Sequence, residues 1–291
     1  MQEKNVTEIL SELVKIKSIS SDKNHIADVK KSAEFVEKLF LELGLQTKIA
    51  TSGNSRPAVL AQTEINPDRK TVLLYAHHDV QPVGDINKWE TDPFNPEIIN
   101  GRLFGRGSGD NKAGVVIHHE VVKELMKDLP VNIKIFIEGE EEIGSPCMAQ
   151  FLDEFNKELE ADVIVIADSG NIRIGTPTVT TSLRGLVDGF IEVDQPMRPV
   201  HSGVGGGVVP DAFMVLSKII ASFHNEKGEL QIEGLTSSDM DVLELKEEEI
   251  KKIFGSEDIN LFELDSISKR LWLEPALSIL AIDAPSTKEA V

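Results

Sequence analysis

Apolar residues recur at helical spacing from the start of the chain: Val6, Ile9, Leu10, Leu13 and Val14 share one face of a predicted helix. A second stripe of Ile26, Val29, Ala33, Val36, Phe40 and Leu43 stops at Gly44, a residue suited to cap a helix C-terminus. The pattern then shortens to strands, "LQTKIA" (45–50), "PAVLAQTEI" (57–65) and "TVLLYA" (71–76). Residues 87–104 carry turn formers and predict a loop with a short hairpin. A helix from about Lys112 to Leu129, a strand "NIKIFIEG" (132–139), a helix near 145–158 and a strand "DVIVIAD" (162–168) follow. Strands that alternate with helices and are almost wholly apolar predict an α/β domain, its mostly parallel sheet covered by helices on both faces.

After about residue 176 the texture changes. "GLVDGFIEVDQ" (185–195) alternates as a half-exposed strand does, and "DAFMVLSKIIASFHN" (211–225) has an amphipathic helical period. A further helix is predicted over 242–254, stopped by Gly255, and its run "ELKEEEIKK" is a solvated face. These features predict two domains, 1–180 and a smaller, incomplete α+β domain over 181–291.

Composition narrows the function classes. The 291 residues are 41% hydrophobic and 27% charged, as in ordinary water-soluble domains. The net charge of −19, from 30 basic and 49 acidic residues, argues against nucleic acid or an anionic membrane as the main partner. No apolar run approaches the length of a membrane span, and the first residues are polar and amphipathic, unlike a signal segment. Cys147 is the single cysteine, so an internal disulfide is excluded and a cytoplasmic setting is expected.

The candidate chemistry lies where apolar strands stop. "LLYAHHD" ends on His77, His78 and Asp79, "IKIFIEGEEE" on Glu140, Glu141 and Glu142, and "VIVIAD" on Asp168. Between the first two lies the glycine-rich "GRGSGDNKAG", with Asp110 just before a helix. A single Asp or Glu at a strand end is as often a turn residue. Four clusters of metal-ligand type, in a fold that gathers ligands at the carboxyl ends of its strands, point to one site. Strand geometry puts His77 and Asp79 on one side and His78 on the other, so that a ligand histidine has a carboxylate to orient it. Of Glu141 and Glu142, one can bind a cation while the other faces substrate as a base. A carboxylate and imidazole set without cysteine suits Zn²⁺, Mn²⁺ or Co²⁺.

With these stretches assembled, the chain resembles the M20 metallopeptidases, and within them the carnosinase-like dipeptidases. The resemblance rests on "AHHDVQP", "WETDPFNPEIINGRLFGRGSGDNKAG", "EGEEEIGS", "VIVIADSG", "TTSLRG" and "VHSGVGGG", which occur in family order. It implies a catalytic first domain and a lid domain that forms a homodimer. It also implies two divalent ions, zinc first with manganese or cobalt as alternatives. His77 and Asp168 would hold one ion, Glu142 the other, and Asp110 would bridge them through a carboxylate followed by a cis peptide bond. Asp79 would order the His77 imidazole, Glu141 would be the general base, and His201 would reach the partner subunit's site and polarise the scissile carbonyl. The implied reaction is hydrolysis of a dipeptide amide bond, with N-acyl amino acids as the alternative small-molecule substrates.

The chain departs from the family in one respect. The family's remaining metal ligand is a histidine near the C-terminus, and after "VHSG" this sequence offers only His224, on a predicted helix without matching context. The chain therefore reads as C-terminally truncated, with a one-metal or metal-free site, or an inactive dimerising remnant, as the competing expectation. Other motifs fall away on their spacing. "GRGSGD" has Asp110 where a dinucleotide fingerprint needs its third glycine, and Ser108 lacks the G-x-S-x-G context of a serine hydrolase. His118 and His119 are read as packing or surface residues, and nothing marks Cys147, after a proline at a helix start, as a nucleophile.

Overall fold

The computed structural model describes residues 5–194, 200–255 and 258–284. The chain divides into two compact units, Met1–Thr178 and Val179–Val291.

The first unit opens with helix α1 (Val6–Val14). The Asn5 side chain accepts from Glu8 N at 2.9 Å while the Glu8 carboxylate accepts from Asn5 N at 3.0 Å, so two otherwise unpaired amides are satisfied at its start. Helix α2 (Ile26–Glu42) follows and ends at Gly44, whose φ of +87° is a conformation open to glycine. The predicted strands appear as β1 (Gln46–Ala50), β2 (Ala58–Gln62) and β3 (Thr71–His77), and the predicted hairpin as β4 (Glu97–Ile99) and β5 (Arg102–Phe104). Helix α3 (Lys112–Leu125) leads to β6 (Asn132–Glu138), and β7 (Val163–Ile166) is reached through two short helices. The helix expected over 145–158 is divided at Phe155 into α4 (Met148–Glu154) and α5 (Asn156–Leu159).

Five strands form one sheet in the order β1-β2-β6-β3-β7. β3 runs parallel to both β6 and β7, and β2 is antiparallel to both β6 and β1, so four of the five strands point the same way. Every residue of central β6 is buried. On one face Val59, Leu74, Ala76, Ile135 and Ile137 pack against Leu13, Val36, Phe40 and Val115 from α1, α2 and α3. On the other, Leu60, Leu73 and Phe136 pack against Phe151 and Leu159 from α4 and α5. Each fully buried Leu, Ile or Phe contributes about 1.5–3 kcal/mol, so this double-sided core fixes the strand ends on which the site is built.

In the second unit the regular elements among the described residues are helices: α6 (Ser202–Gly205), α7 (Ala212–Ser222), α8 (Glu247–Phe254) and α9 (Ile267–Trp272). Asp211 caps α7 by accepting from Met214 N at 2.8 Å, and Gly255 closes α8 at φ +68°. The strand expected over 185–195 is absent from the described residues 185–194; residue 195 lies outside them. Leu186, Val187 and Phe190 are exposed and no partner strand is described beside them, so the alternating pattern has no ladder to join.

Candidate metal centre

β3 carries His77 to the carboxyl edge of the sheet, where His78 N donates to Glu138 O at 2.8 Å in the last link to β6. The His77 ring is fully buried, and its Nδ1 faces Asp79, 3.3 Å from the carboxylate and 3.1 Å from the backbone carbonyl. The buried Asp79 carboxylate also accepts from Glu141 N at 3.3 Å and Glu142 N at 3.1 Å. One carboxylate thus ties the end of β3 to the turn after β6 and orients the imidazole. Burial pushes the Asp79 carboxyl up, but the hydrogen bond from His77 and the charge of that imidazolium bring it below its ordinary value. His78 turns the other way, with Nε2 2.9 Å from Pro57 O, and burial lowers it to about 4. It is a neutral core histidine, as the strand geometry predicts.

The free edge of His77 meets carboxylates. Its Nε2 lies 3.1 Å from Asp110 Oδ1, 3.7 Å from Asp168 Oδ1 and 3.7 Å from Glu141 Oε2. Burial works against a charge on this ring, yet the Asp79 hydrogen bond and the surrounding carboxylates outweigh it and raise His77 to about 9. His77, Asp110 and Asp168 each offer one ligand atom, all within 4.8 Å of one another. One imidazole nitrogen and two carboxylate oxygens at this spacing fit a divalent first-row cation, which would replace the proton His77 otherwise holds. Asp110 is 73% exposed and leaves one side open to solvent. The bond between Asp110 and Asn111 is cis.

Glu141 and Glu142 begin the 3₁₀ turn after β6 and stand at the rim. Burial raises the Glu141 carboxyl, and the charges of Asp168, Glu142 and Asp79 add to this against the opposing pull of His77. Glu142 is raised too, by burial and by Asp110 among its neighbours, but it stands outside the three-residue ligand group. Glu140 serves the loops instead, where its carboxylate accepts from Arg56 N and Cys147 N and holds the segment before β2 against the start of α4. His201 belongs to the second unit, where its Nδ1 accepts from Gly203 N at 3.0 Å at the start of α6.

Two neighbours of Asp110 carry structure that the sequence pattern did not single out. Asn111 is 3% exposed and contacts the ends of both β3 and β7. Lys112 is fully buried and donates to Leu13 O at 3.0 Å and Ile16 O at 2.6 Å, pinning the start of α3 to the end of α1. Burial lowers this ammonium to about 7. The sequence held no local signal for either, since polar residues commonly open a helix as caps.

The chain is 32% identical over 289 residues to the cysteinylglycine-S-conjugate dipeptidase of Corynebacterium striatum, covering 97% of this chain and 63% of that protein. It is 33% identical over 300 residues to the Cys-Gly metallodipeptidase of Schizosaccharomyces pombe, covering 94% of this chain and 63% of that one. The fold matches the crystal structure of human carnosine dipeptidase 1 with a TM-score of 0.72 and 26% identity, over 98% of this chain and 66% of the human one. The chain therefore spans slightly under two thirds of the length of these relatives. Residues 73–267, which include every residue of the ligand group, match the profile of peptidase family M20/M25/M40, and the chain belongs to that family.

Proposed function

We propose that this chain provides the cation-holding part of a metal-dependent hydrolase that cleaves the amide bond of dipeptides. The observation that carries the reading is the meeting of His77 Nε2, Asp110 Oδ1 and Asp168 Oδ1, with the Glu141 carboxylate 3.7 Å from the same imidazole nitrogen. The names of its relatives, a cysteinylglycine-S-conjugate dipeptidase and a Cys-Gly metallodipeptidase, support a dipeptide over an N-acyl amino acid. A divalent ion held by the three ligands would acidify a water and polarise the scissile carbonyl. Zinc suits the donor set, and Asp110 and Glu142 would share a second ion.

The remaining chemistry belongs to the protein's own side chains. Asp79 holds His77 so that Nε2 faces Asp110 and Asp168, where the three would hold the ion. Glu141 takes the proton from the attacking water and passes it to the leaving amine nitrogen as the carbon–nitrogen bond breaks. Its raised carboxyl favours this exchange, because a carboxylate nearer to neutral affinity both accepts and returns a proton. His201 would polarise the scissile carbonyl of a substrate in the partner subunit's site, in a homodimer formed through the second unit. The single cysteine fits a reducing cytoplasmic setting, and among the described residues no helix is long and apolar enough to cross a membrane.

The test is hydrolysis of Cys-Gly and other dipeptides beside acetylated amino acids, with zinc, manganese or cobalt added back to chelator-treated protein. Dipeptide cleavage that needs the metal and falls about 10²–10⁴-fold in Glu141→Gln is the expected outcome. Undiminished activity in that variant removes Glu141 as the base. Metal binding without hydrolysis of either substrate class leaves a cation-binding chain and refutes the enzymatic reading.

A further inference from the structure

Asn111 follows the carboxylate that opens the site and is almost wholly buried, so each of its polar atoms needs a partner. Its Oδ1 accepts from the backbone N–H of His77 at 3.2 Å. Its Nδ2 donates to Ala167 O at 2.6 Å and to Asp168 Oδ1 at 2.7 Å. The orientation of the amide follows from these partners: turned over, it would set an oxygen against two oxygens and an N–H against an N–H. One side chain therefore joins the ends of β3 and β7 and donates to a carboxylate that lies 3.7 Å from His77 Nε2.

The packing around it leaves no slack. A Cβ on Gly114, in the first turn of α3, would lie 2.4 Å from Asn111 Oδ1 and 2.3 Å from Ala167 O. Gly114 N in turn donates to Asn111 O at 2.8 Å. Glycine lets α3 come close enough to press the amide into the gap between the two strand ends. Asp168 follows a short strand whose residues are all exposed, so the core gives it less support than β3 gives His77.

We propose that Asn111 is a positioning residue for the cation site, its amide holding the Asp168 carboxylate in reach of the ion that His77 and Asp110 bind. This rests on the metal-site reading above and deepens it. Donation to one carboxylate oxygen limits rotation of that group and keeps a lone pair directed at the shared centre. Hydrogen bonds of this kind to a ligand typically carry about 10–100-fold in metal affinity.

The experiment is titration of the chelator-treated 291-residue chain with Co²⁺, following the visible absorption of the bound ion, with unfolding of the metal-free protein measured alongside. His77→Ala, expected to lose binding, shows that the signal comes from this site. Failure of the unaltered chain to bind Co²⁺ would refute the metal site itself, whatever Asn111 does. Given binding, Asn111→Ala is expected to weaken Co²⁺ affinity about 10–100-fold and to change the absorption spectrum while the metal-free protein still folds. Should Asn111→Ala not fold, Asn111→Leu keeps the side-chain volume and removes the same hydrogen bonds. Affinity within about twofold of the unaltered chain, with the same spectrum, overturns the proposal. So does failure of both variants to fold, because Asn111 would then be holding the strands and not the ligand.

Discussion

β3 and β7 are neighbours in register, Leu74 opposite Val165, and each delivers one ligand to the candidate centre. They are supported very differently. β3 lies between β6 and β7, with Leu73 and Leu74 buried on opposite faces, whereas all four residues of β7 are exposed. Their sequences do not differ in kind: "TVLLYA" and "VIVIAD" are both runs suited to a strand buried on both sides. Precision at the site therefore has two sources. His77 is placed by the core beneath it and by Asp79. Asp168 depends on cross-links at the strand end, with Asn111 the principal one.

The largest effect should come from the buried member of the pair. Leu74 is 6% exposed and packs with Val59, Ile135 and Val115. Leu74→Ala leaves a cavity that the surrounding β-branched side chains cannot fill, at an expected cost of about 2–5 kcal/mol in denaturant unfolding of the metal-free protein. A cost below about 1 kcal/mol would mean that the sheet is looser at β3 than its burial implies.

A second contrast lies at the end of β3, between the consecutive histidines 77 and 78, and it sets a pH dependence in the metal-free protein. His77, facing Asp79, Asp110, Glu141 and Asp168, is raised to about 9. Its imidazolium therefore contributes stability that is complete below about 6.5 and is lost as pH rises towards 9. His78, buried beside Pro57 O and facing the charges of Asp79, Lys112 and His77, is lowered to about 4. Its contribution is complete above about 6.5 and is lost as pH falls towards 4. Each limb is on the order of 3 kcal/mol or less. Unfolding free energies measured across this range should show His77→Gln flattening the alkaline limb and leaving the acid limb in place. An unchanged alkaline limb would place the cause in other groups.

Much of this was legible in the sequence, for a physical reason that also marks where legibility stopped. Apolar runs interrupted by glycine and turn residues define elements locally, so β3, β6, α2 and α3 could be read from their own residues. His77, Asp110 and Asp168 stood out because ligand-type residues ended such runs. Asn111 and Lys112 did not, because their meaning lies in partners far along the chain: Ala167 and Asp168 for one, Leu13 and Ile16 for the other. Glu142 sat in the same cluster, in the 3₁₀ turn that follows β6, and its place as a ligand of a second ion remains part of the proposal. The alternation over the described residues 185–194 shows the converse: a strand pattern is only an offer of pairing, and here it forms no strand.

The smallest effect should come from the other side of the register pair. Val165 faces Leu74 across the ladder yet is 44% exposed. Val165→Ala removes two methyl groups that already touch water over much of their surface, and alanine keeps the backbone pairing to β3. The change should stay within about 0.5 kcal/mol of the unaltered chain in the same unfolding measurement. The cross-strand contact with Leu74 adds a few tenths of this, about 0.2–1 kcal/mol being usual for such pairs. A loss above about 1.5 kcal/mol would show β7 to be buried in solution. The contrast with β3 would then fail, because Asp168 would rest on a packed strand and would not need Asn111 to hold it.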